Sequence, residues 1–143
     1  MDPTLRKGLK YIEERFGISP EHFENYSFYI QSDIWITSKE MEKFELKVFK
    51  RRGIRFLRVS RKGFKWTTAA MQIFGHLASK NVVVLDDEDA QRFIRGLDIV
   101  VGYIEGVEKG QVIVKSEKDI LGSAIYRNGR LKNQIPKGRR IIN

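Results

Sequence analysis

The chain has 143 residues, with 27 Lys plus Arg against 18 Asp plus Glu, a formal net charge of +9 and no cysteine. Without Cys there is no disulfide framework, no cysteine-ligated zinc or iron–sulfur centre and no thiolate nucleophile. At 41% hydrophobic and 31% charged residues it reads as a globular chain, long enough for one large domain or two small ones.

Leu5, Leu9, Ile12 and Phe16 recur at helical spacing and predict an amphipathic helix from Thr4 to Phe16, stopped by Gly17. Ser19-Pro20 reads as an N-cap with proline at the first helical position, so a short helix is expected over Pro20 to Asn25. Ser27 to Ile30 and Ile34 to Thr37 are β-prone runs joined at Ser32-Asp33, and two more strands are expected on either side of Arg51-Arg52-Gly53. Thr67 or Thr68 caps a helix whose stripe is Ala70, Ile73, Phe74 and Leu77, ending near Ser79.

Past Lys80 the pattern changes. Val82 to Leu85 predicts a strand, and Asp86 caps a helix carrying Ala90, Phe93 and Ile94 until Gly96. Strands are expected at Val100 to Ile104, Gln111 to Lys115, Ile120 to Tyr126 and Arg130 to Ile135, with Asn128-Gly129 as a type I′ hairpin turn. Pro136 and Gly138 break the pattern, and Arg140 to Ile142 reads as a last strand. Short strands with tight glycine turns after one helix point to a small β-barrel.

The positive charge is localised. Residues 43–65 carry a net +9 and residues 127–143 a net +6, whereas 1–42 and 66–126 each carry −3. A charge run is ordinarily a solvated face. These two blocks lack the acidic partners that dilute such a face, so each repels itself unless an anion lies nearby, and nucleic acid is the commonest one. The aromatics of the first block, Phe44, Phe49, Phe56, Phe64 and Trp66, either stack on bases or fill the core, with core the better reading for the first three.

No Walker A loop, GxGxxG fingerprint, HExxH pair or GxSxG elbow occurs in the sequence. His22 and His76 read as structural or exposed. The run Asp86 to Asp89 admits a metal or acid–base reading, but acidic residues in a first helical turn already complement the helix dipole. No catalytic residue, metal or cofactor is expected.

In the tail, LGSAIYRNGRLKNQIPKGRR (Leu121 to Arg140) resembles the end of the PUA-like RNA-binding domain appended to Nop/Sun-type RNA cytosine-5 methyltransferases. The matching positions are Leu121, Gly122, Gly129, Leu131, Lys132, Asn133, Pro136, Lys137, Gly138 and Arg140. Upstream, Thr67 to Leu85, the acid-led helix and Gly110 to Lys115 are compatible with the same module. The family often has an aromatic where Ser123 stands, and His and Tyr where Gln134 and Ile135 stand. Those enzymes also need cysteines and a cofactor-binding domain that this sequence lacks, so the resemblance implies the RNA-binding part alone, without the chemistry.

The resulting expectation is an α+β protein, a small N-terminal α/β module (residues 1–80) packed against a C-terminal PUA-like β-barrel (81–143). Its function is non-enzymatic binding of structured rRNA or tRNA in RNA modification or ribosome biogenesis. The two basic blocks would supply one groove through Arg51, Arg52, Arg55, Arg58, Lys62, Lys65, Arg127, Arg130, Lys132, Lys137, Arg139 and Arg140. Asn133 either reads a base edge or caps the loop, and glycine and proline shape the turns. The alternative is a protein-interaction subunit docking on a methyltransferase subunit or ribosomal protein; a metal-dependent nuclease is a third reading. The longest nearly apolar run, Asn81 to Leu85, is far short of the roughly 18 residues of a membrane span, and no signal-peptide pattern opens the chain, so the expected location is the cytoplasm.

Overall fold

Asp2 and Pro3 open the first helix as a side-chain cap followed by a residue with no N–H to satisfy. In the computed structural model, which describes residues 1–38 and 53–141, the Asp2 carboxylate accepts from Thr4 N at 2.7 Å. Helix α1 (Pro3–Phe16) ends at Gly17, whose φ of 71° is the left-handed conformation that terminates helices. Ser19 then caps a 3-10 turn over Pro20–Phe23, shorter than the helix expected there.

The chain divides into two compact units, Met1–Ala70 and Met71–Asn143. The change of sequence pattern lies later, near Lys80. In the first unit β1 (Tyr26–Gln31), β2 (Asp33–Ser38), β3 (Ile54–Ser60) and β4 (Gly63–Trp66) form an antiparallel meander in chain order. β2 buries four residues in a row, Ile34 to Thr37, and in β3 the neighbours Phe56 and Leu57 are both buried. For the β3 pair the register supplies the reason: Ile34 faces Leu57 while Trp35 faces Arg55, so Phe56 is the extra residue of a β-bulge. Phe56 thereby joins Phe23, Phe28 and Trp66 at ring separations of 5.2, 5.3 and 6.0 Å.

Gly8 lets α1 settle on this sheet. A Cβ there would stand 2.8 Å from Leu57 Cδ1 and 2.9 Å from Ile34 Cδ1, and both side chains are fully buried. Thr67 caps helix α2 (Thr68–Phe74) by accepting from Ala70 N, and a 3-10 turn follows over Gly75–Leu77.

In the second unit β5 (Val82–Val84), β6 (Ile99–Val100), β7 (Gly110–Lys115), β8 (Ile120–Arg127) and β9 (Arg130–Asn133) form a sheet in the order β5-β7-β8-β9-β6. The β5–β7 pair is parallel and the rest are antiparallel. Its edges are strands of three and two residues, too short to zip together, so the expected barrel is a half-closed curl. Helix α3 (Asp87–Ile94), capped by Asp86, contributes Ala90 and Phe93 to a core with Val83, Val112, Val114, Tyr126 and Leu131.

Two expected strands are not strands. Past Val100 the backbone bends at Gly102 (φ 74°) and Gly106 (φ 82°) into a loop. At the end of the chain, Lys137–Arg139 is a 3-10 turn, because proline at 136 removes a ladder donor and Arg139 N bonds back to Pro136 O at 2.8 Å; Ile142 lies outside the described residues. No helix among the described residues is long and apolar enough to cross a membrane.

Candidate nucleic-acid interface

Asn128 and Gly129 sit at φ 52° and 74°, the paired positive angles that a two-residue turn between twisted strands requires. That turn fixes the register. Arg127 faces Arg130, Tyr126 faces Leu131 and Ile125 faces Lys132, while Val100 on the neighbouring strand faces Arg130. Directly opposed residues of an antiparallel pair share a face. Tyr126 and Leu131 therefore point to the core, and Arg127, Arg130 and Lys132 share the opposite, exposed face. They line a groove of about 230 Å³ with Asp98, Ile125, Asn128 and Leu131.

Asn133 stands behind this groove with its side chain engaged. Its amide nitrogen donates to Phe93 O at 2.7 Å and Leu97 O at 2.9 Å, and its Oδ1 accepts from Ile135 N at 2.8 Å. The two N–H bonds tie the end of α3 and the turn after it to β9, and the carbonyl holds the chain just past β9. These bonds engage both amide hydrogens of Asn133 within the unit, as the capping role expects.

Lys137, Arg139 and Arg140 lie around the terminal 3-10 turn. Lys137 is exposed. Arg139 Nη1 donates to Gln72 Oε1 at 3.3 Å. Arg140 is a packing element as well as a cation: its Nε donates to Ile135 O at 3.1 Å, and its side chain occupies the space where a Cβ on Gly96 would fall. The backbone N–H groups of Arg139, Arg140 and Ile141 are all spent inside the unit, so in this segment the side chains of Lys137 and Arg139 rather than these amides face outward.

The first unit carries a second hairpin of the same kind. Arg61 and Lys62 form the tip between β3 and β4, and Arg58 faces Lys65. Burial, and secondarily the charge of Arg58, hold the Lys65 amine below its usual range. Arg55 is different, because its Nε lies 3.2 Å from Asp33 Oδ2 and its guanidinium 5.1 Å from the centre of the Trp35 ring. Asp33 also accepts from Val59 N at 2.8 Å, so Arg55 helps to lock β2 to β3. Arg51 and Arg52, with Phe44 and Phe49, lie outside the described residues. Phe56 and Trp66 are fully buried and Phe64 packs on Tyr11 at 5.8 Å; these three act as core.

Sequence reasoning passed over Arg61, Ile125 and Asp98. Arg61 sits beside Lys62 in a turn whose ends pair as Ser60 and Gly63, and Ile125 follows once the Asn-Gly turn sets the register. Asp98 had no local signal, since it reaches the groove from before β6. The acidic cluster resolves as helix chemistry: Asp86 Oδ1 accepts from Asp89 N, while Glu88 and Asp89 both pair with Arg92. Among the described residues no group of three potential metal ligands gathers, and His22 and His76 are exposed.

Ser123, buried in β8, donates to Gln134 Oε1 at 2.9 Å, and Gln111 Nε2 reaches the same oxygen at 3.3 Å. Where the resembling domains often carry aromatic rings, this chain has a polar cross-tie. Residues 80–141 match the family model of the methyltransferase RsmF PUA domain. This segment is a PUA domain of that type. Over 137 residues, 95% of its length, the chain is 30% identical to the ribosomal RNA small subunit methyltransferase F of Aeromonas hydrophila. It is equally similar to that of Shewanella piezotolerans over 131 residues, and 29% identical to that of Vibrio parahaemolyticus over 110. The chain spans only 27%, 26% and 23% of those three relatives. In this PUA domain the cation face is the outer side of the β8–β9 hairpin.

Proposed function

We propose that this chain binds structured RNA without transforming it, gripping phosphates with the two cation hairpins, in RNA modification or ribosome biogenesis. The observation that carries this reading is the register. Arg127 stands directly opposite Arg130 and Arg58 opposite Lys65, arrangements that cost stability in isolation and that a phosphate between the pair relieves. The PUA match supports RNA as the source of that phosphate. Ribosomal RNA is the favoured class over tRNA, because the relatives are named as methyltransferases of small-subunit ribosomal RNA.

Bidentate guanidinium contacts and flexible lysines suit the backbone of an RNA helix, whose major groove is too deep and narrow for side chains to read. Shape and phosphate spacing therefore set recognition, with Ile125 as an apolar floor to the groove. Replacing Arg127, Arg130 and Lys132 together by Ala tests the assignment. Fluorescence anisotropy with a labelled small-subunit rRNA fragment is expected to show at least a tenfold loss of affinity with no loss of melting temperature. Unchanged affinity would remove this face from the site.

A further inference from the structure

Tyr103 is 84% exposed, the most exposed of the large apolar side chains in the described residues. Among those residues no hydrogen bond or ring contact holds its ring, yet the backbone that carries it is clamped on both sides. The Tyr126 hydroxyl donates to Gly102 O at 3.0 Å and accepts from Ile104 N at 2.9 Å. Val101 N and Gly102 N both donate to Gly129 O at 2.9 Å, and Val101, Ile104 and Val107 pack on the core. The loop also seats closely on the hairpin: a Cβ on Gly129 would lie 3.2 Å from Gly102 Cα. One buried hydroxyl and one turn carbonyl thus hold Tyr103 beside the turn bounded by Arg127 and Arg130.

An exposed aromatic carried on a fixed backbone beside a cation-bounded turn suits one class of ligand. A base inside a duplex is already stacked on both faces, so an external ring gains a stacking partner only where a base is unpaired. Because the backbone at 102 and 104 is fixed in advance, little ordering entropy opposes the contact. We propose that Tyr103 stacks on an unpaired RNA base adjoining the helical segment gripped by Arg127, Arg130 and Lys132, an inference that rests on the RNA-binding reading above. Val100, 68% exposed and opposite Arg130, extends the apolar spot beneath such a base.

The test compares a blunt RNA duplex with the same duplex carrying one bulged 2-aminopurine. The wild-type protein is expected to bind the bulged RNA more tightly and to quench its fluorescence. Tyr103→Ala should lose roughly tenfold in affinity for the bulged RNA, the scale of one base–aromatic stack, with no change for the blunt duplex. Tyr103→Phe should keep both affinity and quenching. If Tyr103→Ala quenches as wild type does, or weakens both RNAs equally, the stacking assignment is wrong while RNA binding stands. If the wild-type protein binds neither RNA, the RNA-binding reading itself fails.

Discussion

Gly8 is unremarkable in the sequence, a weak helix former inside an amphipathic pattern, and its reason is visible only once Leu57 and Ile34 come to within 3 Å of where its Cβ would be. Gly8→Ala gains up to about 1 kcal/mol in helix propensity but overpacks two fully buried side chains at a cost of about 1–3 kcal/mol. Net destabilisation is expected, read as a lower midpoint of urea unfolding; a higher midpoint would mean that α1 shifts freely. Asn133 was legible as a residue of the tail and illegible as to role, because its partners Phe93 and Leu97 lie 40 and 36 positions away. Asn133→Ala strips two carbonyls and one N–H of their partner and is expected to cost about 2 kcal/mol by chemical denaturation. Tyr11 carries a pH signature. Burial, partly offset by the charge of Arg15, pushes its phenol up to about 12 from 10.0. A group whose folded pKa is raised stabilises fully below the unfolded value, and that contribution disappears as pH climbs through the folded one. Between pH 10 and 12 the melting temperature of the wild-type protein should therefore fall more than that of Tyr11→Phe; equal falls would contradict the burial of this hydroxyl.

At the scale of elements, helices with polar caps and the Asn-Gly hairpin were the most legible parts, since Asp2, Ser19, Asp86 and the 128–129 turn act through neighbours within three residues. What failed was local reading of segments shaped by distant partners. Val100 to Ile104 is a β-prone apolar run, but the Tyr126 hydroxyl captures both Gly102 and Ile104 and the glycine angles finish the bend. The bulge at Phe56 likewise depends on which β2 residue lies opposite. Tyr126→Phe keeps the ring in the core and deletes only the clamp. Amide exchange at Ile104 is expected to accelerate by an order of magnitude or more, with global stability reduced by about 1 kcal/mol. Unchanged exchange would show that core packing alone holds the loop.

For the molecule as a whole, the charge count of +9 was informative only when divided, and the structure divides it again by face. Arg55 is tied to Asp33 and Trp35, and Arg140 to Ile135 and Gly96, so neither stands as an uncommitted cation. Arg58, Lys62, Arg127, Arg130, Lys132 and Lys137 are exposed, and Arg61 joins them at the β3–β4 tip. Which of the basic residues were structural was hidden in the sequence, because salt bridges and carbonyl contacts leave no local trace; that the surplus sat in two blocks was not, although the first block's turn was expected at Arg51-Arg52-Gly53 and the described hairpin turns at Arg61-Lys62. The central claim is that these surfaces bind RNA through its phosphates, and the salt dependence of binding to a structured small-subunit rRNA fragment tests it most directly. Each phosphate neutralised contributes about −0.7 to −0.9 to the slope of log affinity against log salt. With both hairpins engaged, the slope is predicted to be about −3 or steeper, and shallower by about 2 in the Arg127, Arg130 and Lys132 triple-alanine variant. A slope near zero, or one that the triple variant leaves unchanged, would contradict the account.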